Sequence, residues 1–252
     1  MISKSRWLKA QVYEESFWSG VADDISRDYL GRIDFYEWRA NQFRNRMARL
    51  GFGHLIEEES RLLEIGSGPV GIIGHLPGSK RVSVDPLNRY YSCNTNLTRF
   101  RPEGVHYSDA SGEELPLEDG QTDLVIMENC IDHTLNPTKV LSEINRVLRD
   151  HGVLYLTVNC RSRIGYYMHR LLARLSLDPG HPHTFTRSRF LNTLQSSGFE
   201  TVESDQSSWW ASWRGDVLGD NWKRRMKGML LVSEHLLTVV ATKKAPDSEG
   251  KG

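Results

Sequence analysis

The chain has 252 residues, which suits one large domain with additions better than a multidomain assembly. Lys plus Arg total 32 and Asp plus Glu total 32, so the formal net charge is zero, without the global basic excess of proteins that track nucleic-acid phosphates. A hydrophobic fraction of 38% and a charged fraction of 25% describe an ordinary globular protein with material for a sizeable core.

Residues 1–22 are aromatic and mixed in charge, with Trp7, Tyr13, Phe17 and Trp18. Tyr29, Ile33, Tyr36, Ala40, Phe43, Met47 and Leu50 then step by four and three, which predicts a long helix with these residues on one face. Asp23, Asp24 and Ser26 are its N-cap candidates, Arg44, Arg46 and Arg49 suit its negative end, and Gly51 can end it. Gly31 weakens it by about 1 kcal/mol relative to Ala. Short apolar runs follow at 61–65, 80–84, 105–108, 123–129 and 152–158, and their continuity suits a buried parallel sheet. A helix is predicted over 137–149, with Asn136 as cap, Pro137 at its first position and His151-Gly152 as its stop. A second runs from about 187 to 197 behind Thr186, with Gly198 after it. Residues 199–203 and 235–241 read as further strands, and 245–252 as a frayed tail. Strands alternating with helices imply a doubly wound α/β sheet.

The three cysteines, Cys93, Cys130 and Cys160, form no CxxC spacing, so neither a disulfide framework nor a cysteine zinc site is expected. The N-terminus has no apolar h-region, and no apolar run approaches the ~20 residues of a membrane helix. The expected address is the cytoplasm, with no membrane partner.

Glycines at 66, 68 and 71 follow the first strand in a GxGxxG spacing. They allow a tight strand-to-helix turn and close approach of a ligand to the backbone. Asp85 ends the next strand, 19 residues after Gly66, where a carboxylate can accept both hydroxyls of a ribose. NAD sites share this pattern. Two features weigh against NAD: Gly74 and Pro77 limit the following helix to roughly two turns, and Glu64, Asp85 and Asp109 all sit at strand ends. Carboxylates repel a pyrophosphate but suit an ammonium, ribose hydroxyls and a sulfonium.

Taken in order, these segments resemble the class I S-adenosylmethionine-dependent methyltransferases. LLEIGSGPVG resembles that family's first motif and VSVDP its acidic second motif. YSDASGEELPLEDGQTDLVIMENCIDHTLNP resembles the adenine loop, fourth strand and following loop. VLRDHGVLYLTVN resembles the next helix and strand, with His151 where the family usually has the first of two glycines. TRSRFLNTLQSSGFETVE and HLLTVVATKK resemble the last helix with the sixth strand, and the seventh strand. The resemblance covers about 60–200 and 231–244. It implies a Rossmann-like seven-stranded sheet, mostly parallel with an antiparallel seventh strand, over residues 56–244. A helical cap would occupy 1–55, with substrate-side insertions at 160–185 and 205–230. S-adenosyl-L-methionine would be the cofactor. Gly66, Ser67, Gly68 and Gly71 would pass under its methionine part, with Glu64 in the polar network around the ammonium. Asp85 would hold the ribose, Pro86 and Leu87 would line the adenine, and Asp109 and Ala110 would meet the ring edge. Glu128 and Asn129 would lie beside the methyl donor. Each residue also has a plainer reading: the glycines as a turn, Asp85 and Asp109 as strand-end or turn acids, and Glu64 as a partner of Arg61 or Arg81.

His133 and His183 are the candidate bases, because their loops open at the carboxyl edge of the sheet and histidine titrates near neutrality. The plainer reading is that each orders its own loop. Asp178, His181 and His183 have no informative metal-ligand spacing, and no metal is expected. The basic run 222–227 reads as a solvated helix face more than a nucleic-acid patch. All seven tryptophans fall at Trp7, Trp18, Trp38, Trp209, Trp210, Trp213 and Trp222. Those at 7–18 and 209–213 are expected to form an aromatic lid over a partly apolar substrate, with Tyr166, Tyr167 and Phe185, or else to bury the N-terminal helix or a homodimer interface. The leading functional expectation is methylation of an oxygen or nitrogen of a small-molecule metabolite. The alternatives are an RNA or protein methyltransferase, a nucleotide-binding dehydrogenase and a non-catalytic cofactor-binding scaffold.

Overall fold

The computed structural model describes residues 2–25, 29–174, 182–230 and 232–244. Two long helices come first, α1 (Lys4–Ile25) and α2 (Tyr29–Arg49). The strand-rich part then runs β1 (Arg61–Ile65), β2 (Lys80–Val84), α3 (Asn88–Ser92), α4 (Thr95–Thr98), β3 (Val105–Ser108), β4 (Thr122–Glu128), α5 (Pro137–Val147) and β5 (Leu148–Arg161). It continues with α6 (Arg163–Arg174), α7 (Arg187–Ser196), β6 (Phe199–Asp205), α8 (Ser208–Val217), α9 (Trp222–Met229) and β7 (Glu234–Lys243).

The seven strands form one sheet in the order β3-β2-β1-β4-β5-β7-β6. The five strands β1 to β5 are mutually parallel, whereas β7 runs antiparallel to both β5 and β6. This is the doubly wound α/β sheet that the strand–helix alternation predicts, with the seven strands and antiparallel seventh strand that the resemblance implies. On one face, Val140, Leu141, Ile144 and Val147 of α5 and Phe190 and Leu194 of α7 pack on Leu63, Val125 and Leu154. On the other, Ala40, Phe43 and Met47 of α2 pack on Leu62, Ile126 and Tyr155. A smaller cluster joins Val21 and Ala22 of α1 to Leu87, Tyr91 and Leu97. Among the described residues no helix is long and apolar enough to cross a membrane.

Local sequence explains most of the boundaries. The Asn136 side chain accepts from the Lys139 N–H and Pro137 occupies the first turn of α5, as a cap and an N1 proline should. Thr186 caps α7 in the same way, and Gly198 follows it at φ +85°. His151 takes φ +62°, a left-handed backbone that glycine adopts more easily.

Three expectations change, and a fourth is not tested. Residues 4–25 form a helix, so Asp23 and Asp24 lie in the last turn of α1 and do not cap α2; Ser26 lies outside the described residues. The helix after the glycine loop shrinks to a single 3-10 turn, Ile73–His75: Gly71 at φ +75° delays its start, and Leu76, extended before Pro77, ends it. The strand at 152–158 extends to Leu148–Arg161. Residues 245–252, expected to fray, lie outside the described residues.

Candidate active site

The carboxyl ends of β1, β2 and β4 open into a cavity of about 640 Å³. Its floor is Gly66, Ser67 and Gly68, with Asp85, Pro86 and Leu87 beyond β2 and Glu128, Asn129, Cys130 and His133 beyond β4. Its roof comes from α1 and α2: Trp7, Glu14, Phe17 and Trp18, then Phe35, Tyr36 and Arg39.

Gly66, Gly68 and Gly71 all have positive φ, at +68°, +63° and +75°. A Cβ at 66 would lie 2.3 Å from the Cys130 Sγ, and one at 68 would lie 2.8 Å from the Trp18 ring. The backbone therefore has to pass bare at both points. At 71 a Cβ would lie 2.3 Å from a Glu64 carboxylate oxygen. That carboxylate accepts the N–H groups of Ile72 at 3.2 Å and Ile73 at 2.9 Å, so it turns back on the loop and shapes it. Glu64 does not pair with Arg61 or Arg81. Arg61 bonds Asp123, and Arg81 donates to the carbonyls of Gly74, Leu76 and Glu103.

Asp85 is also buried, accepting from the Gly68 N–H at 2.9 Å and the Leu87 N–H at 2.8 Å. It thereby joins the glycine loop to the turn after β2. Burial raises its pKa to about 6, and burial together with the charge of Glu128 raises that of Glu64 to about 7. Two buried acids held short of full ionisation are what a cationic, hydroxyl-bearing ligand would complete, since each carboxylate oxygen has more than one acceptor site. Ser67 is fixed by the Ser83 hydroxyl at 2.6 Å.

At the end of β4, Glu128 forms an ion pair with Arg39, and burial nevertheless raises its pKa. Asn129 has φ +51°; its N–H donates to the Thr157 carbonyl at 2.9 Å and its side-chain oxygen accepts from Asn159 at 2.7 Å. Pro86, Leu87, Glu128 and Asn129 are all cavity walls. Asp109 and Ala110 are not. Asp109 is exposed and Ala110 packs against the main core, while Ser111, Gly112 and Glu113 line the cavity in their place. Glu113 accepts the N–H groups of Leu135 and Asn136, tying this loop to the one after β4.

The two histidines separate. His133 lines the cavity with its Nδ1 3.2 Å from a Glu14 carboxylate oxygen. His183 is not a wall: a ring nitrogen is engaged at 2.9 Å by the Thr134 carbonyl, and its backbone N–H donates to Asp132. Burial lowers its pKa. His183 thus orders the loop after β4, the plainer of its two readings. Asp178 and His181 lie outside the described residues.

The aromatic roof is also only half of what the tryptophan pattern predicts. Trp209 and Trp213 stack on each other in α8, and the Trp213 indole donates to the Gly228 carbonyl of α9. Neither lines the cavity, and nor do Trp210, Tyr166, Tyr167 or Phe185. Sequence reasoning missed Glu14, Arg39, Phe35 and Tyr36. One signal was present: Trp7, Gln11, Glu14 and Trp18 step by four, three and four, so they share a helix face, and all four line the cavity.

Comparison with known proteins adds an independent finding. Residues 63–156 match the family model described as a methyltransferase domain. The chain is 29% identical over 155 residues to a glycine/sarcosine/dimethylglycine N-methyltransferase of Actinopolyspora halophila, covering 58% of this chain and 27% of that protein. It is 27% identical over 159 residues to a sarcosine/dimethylglycine N-methyltransferase of Aphanothece halophytica, covering 59% and 55%. The chain thus spans about half or less of the length of these curated relatives. The fold resembles a phosphoethanolamine N-methyltransferase 2 of Haemonchus contortus, solved with phosphomonomethylethanolamine and S-adenosylhomocysteine, at a TM-score of 0.56 and 16% identity over 75% of this chain and 50% of that one.

Proposed function

We propose that this chain, whose residues 63–156 match a methyltransferase-domain model, is a class I S-adenosylmethionine-dependent methyltransferase that methylates an oxygen or nitrogen of a small-molecule metabolite. The observation that carries this reading is that one cavity holds the bare glycine loop and Asp85 at one end and His133 with Glu14 under an aromatic roof at the other. Its volume, about 640 Å³, lies within the range of small-molecule sites.

S-adenosylmethionine supplies an electrophilic methyl group on a sulfonium. Asp85 would accept from the ribose hydroxyls, and Pro86 and Leu87 would flank the adenine, with Ser111, Gly112 and Glu113 as the walls available to its ring edge in place of Asp109 and Ala110. The backbone of Gly66, Ser67 and Gly68 would pass under the methionine part. Glu64 holds that loop, with Gly71 leaving room for it, and would add negative charge near the ammonium. Glu128 and Asn129 would border the methyl donor, with the Arg39 guanidinium fixing the Glu128 carboxylate. The walls align the acceptor and exclude water, an effect worth up to ~7–11 kcal/mol in favourable intramolecular models. His133 takes the acceptor's proton where the nucleophile must lose one, and Glu14 offsets the positive charge on its ring. General-base catalysis of this kind contributes ~10²–10⁴-fold. The aromatic roof suits an acceptor with a partly apolar body.

Calorimetry with S-adenosylmethionine and S-adenosylhomocysteine tests the cofactor end. Asp85→Ala should weaken both by about 1.5–3 kcal/mol, because a charged acceptor is lost. An unchanged affinity in a folded variant removes Asp85 from the site, and a folded wild-type protein that ignores both compounds removes the reading itself.

A further inference from the structure

A second pocket of about 310 Å³ lies at the same edge of the sheet but on the other side of β7. Leu236 faces the cavity described above, and the neighbouring His235 faces this pocket, as alternate residues of a strand must. The walls include Arg161 at the end of β5, Arg163 in α6, and Thr186, Arg187 and Ser188 at the start of α7. His235 is only 5% exposed, and among the described residues neither of its ring nitrogens has a hydrogen-bond partner. A neutral imidazole carries one donor and one acceptor, so a buried ring with both unmet is an uncompensated polar group facing a pocket.

The charge around it is positive. Arg161 is paired with Glu234, which leaves that couple neutral. Arg163 forms no ion pair with any described residue, and Arg187 donates to the Ser204 hydroxyl at 2.5 Å and not to a carboxylate. The Thr186 side chain satisfies the Arg189 N–H, whereas the N–H groups of Arg187 and Ser188, the first two of the ten-residue α7, have no carbonyl partner within the helix. These groups converge from four elements, which suits a tetrahedral oxyanion.

We infer that this pocket binds a phosphate group, of inorganic phosphate or of a phosphomonoester, on the N-terminus of α7, with His235 donating to it and Arg163 and Arg187 supplying charge. Burial lowers the His235 pKa, and a bound oxyanion would raise it again. The site stands apart from the cofactor cavity and does not depend on the methyl-transfer reading.

The test is a titration of the full chain, labelled at histidine, with inorganic phosphate and separately with glycerol phosphate, followed by NMR against sodium chloride at matched ionic strength. Both phosphates should shift the His235 resonances saturably and raise its pKa. Arg163→Gln, at an exposed position, should weaken phosphate about fivefold or more and leave S-adenosylhomocysteine affinity unchanged. Tighter binding of glycerol phosphate identifies a phosphomonoester as the occupant, and tighter inorganic phosphate identifies the free ion. The proposal is overturned if sodium chloride gives the same shift, if nothing saturates by about 20 mM phosphate, if the Arg163 variant binds phosphate as the wild type does, or if S-adenosylhomocysteine displaces the phosphate.

Discussion

Glu64 and Asp85 carry the pH response of the cofactor cavity. Burial lifts them to about 7 and about 6, from ordinary values of 4.5 and 3.8. Their contribution to the stability of the free protein is fully present below those ordinary values and is lost as pH rises through about 6 and then about 7. A cationic ligand has the opposite preference, because it favours the ionised carboxylates. Affinity for S-adenosylmethionine should therefore rise between about pH 5.5 and 7.5, measured by calorimetry at constant ionic strength, and Asp85→Asn should flatten the lower part of that rise. A flat wild-type profile would mean that the ligand does not sense these acids. Gly71 bears on the same pair. Gly71→Ala places a Cβ 2.3 Å from the Glu64 carboxylate at φ +75°, so the bonds to Ile72 and Ile73 must break or the loop must move. A loss of about 2–4 kcal/mol in denaturant unfolding is expected, with weaker cofactor binding. Wild-type stability in this variant would show that Glu64 does not brace the loop.

At the level of elements, the sheet, α2 and the Trp7–Trp18 half of the roof were legible, and the helical form of α1 was not. Runs such as Arg61–Ile65 and Lys80–Val84 coincide with strands because a strand buried on both faces has to be apolar throughout. Asn136 and Pro137 announce α5 by local chemistry alone. By contrast, α1 has no apolar stripe; the face it turns to the cavity carries Trp7, Gln11, Glu14 and Trp18, so a hydrophobic period does not reveal it. The position of α2 is set by contacts that local spacing cannot show. Arg46 bonds Glu203 at 2.7 Å and Asp205 at 2.8 Å on β6, and Arg49 joins Glu203 at 2.6 Å. In the sequence these arginines merely suit a helix C-terminus. Their reach to β6 holds α2 against the sheet, and Arg46 keeps the Asp205 pKa down at about 2. Arg46→Ala should lower stability by about 1–3 kcal/mol in thermal or denaturant unfolding. It should also return Asp205 towards an ordinary carboxylate titration, read by carbon NMR. An unmoved Asp205 would show that the pair does not persist in solution.

For the whole molecule, the division of the core matters most. The sheet is held between two large clusters, and Val125 and Ile126 of β4 are fully buried, one on each face. Helix α1 joins the rest through the smaller cluster of Val21, Ala22, Leu87, Tyr91 and Leu97, through Trp18, and through the Tyr90 hydroxyl donating to the Glu15 carbonyl. An element with few buried apolar contacts opens at a lower free-energy cost than the core does. Access to the cavity is therefore coupled to α1, which carries Glu14 and four of the aromatic walls. A ligand that bridges Asp85 and this roof should stabilise the closed state by mass action. Hydrogen exchange read by mass spectrometry should find α1 amides exchanging about tenfold or more faster than those of β4 and β5 in the free protein. Saturating S-adenosylhomocysteine should slow α1 by a similar factor and leave β4 nearly unchanged. If α1 exchange stays the same while calorimetry shows full binding, the helix does not close over the ligand, and the acceptor reaches His133 from an open face.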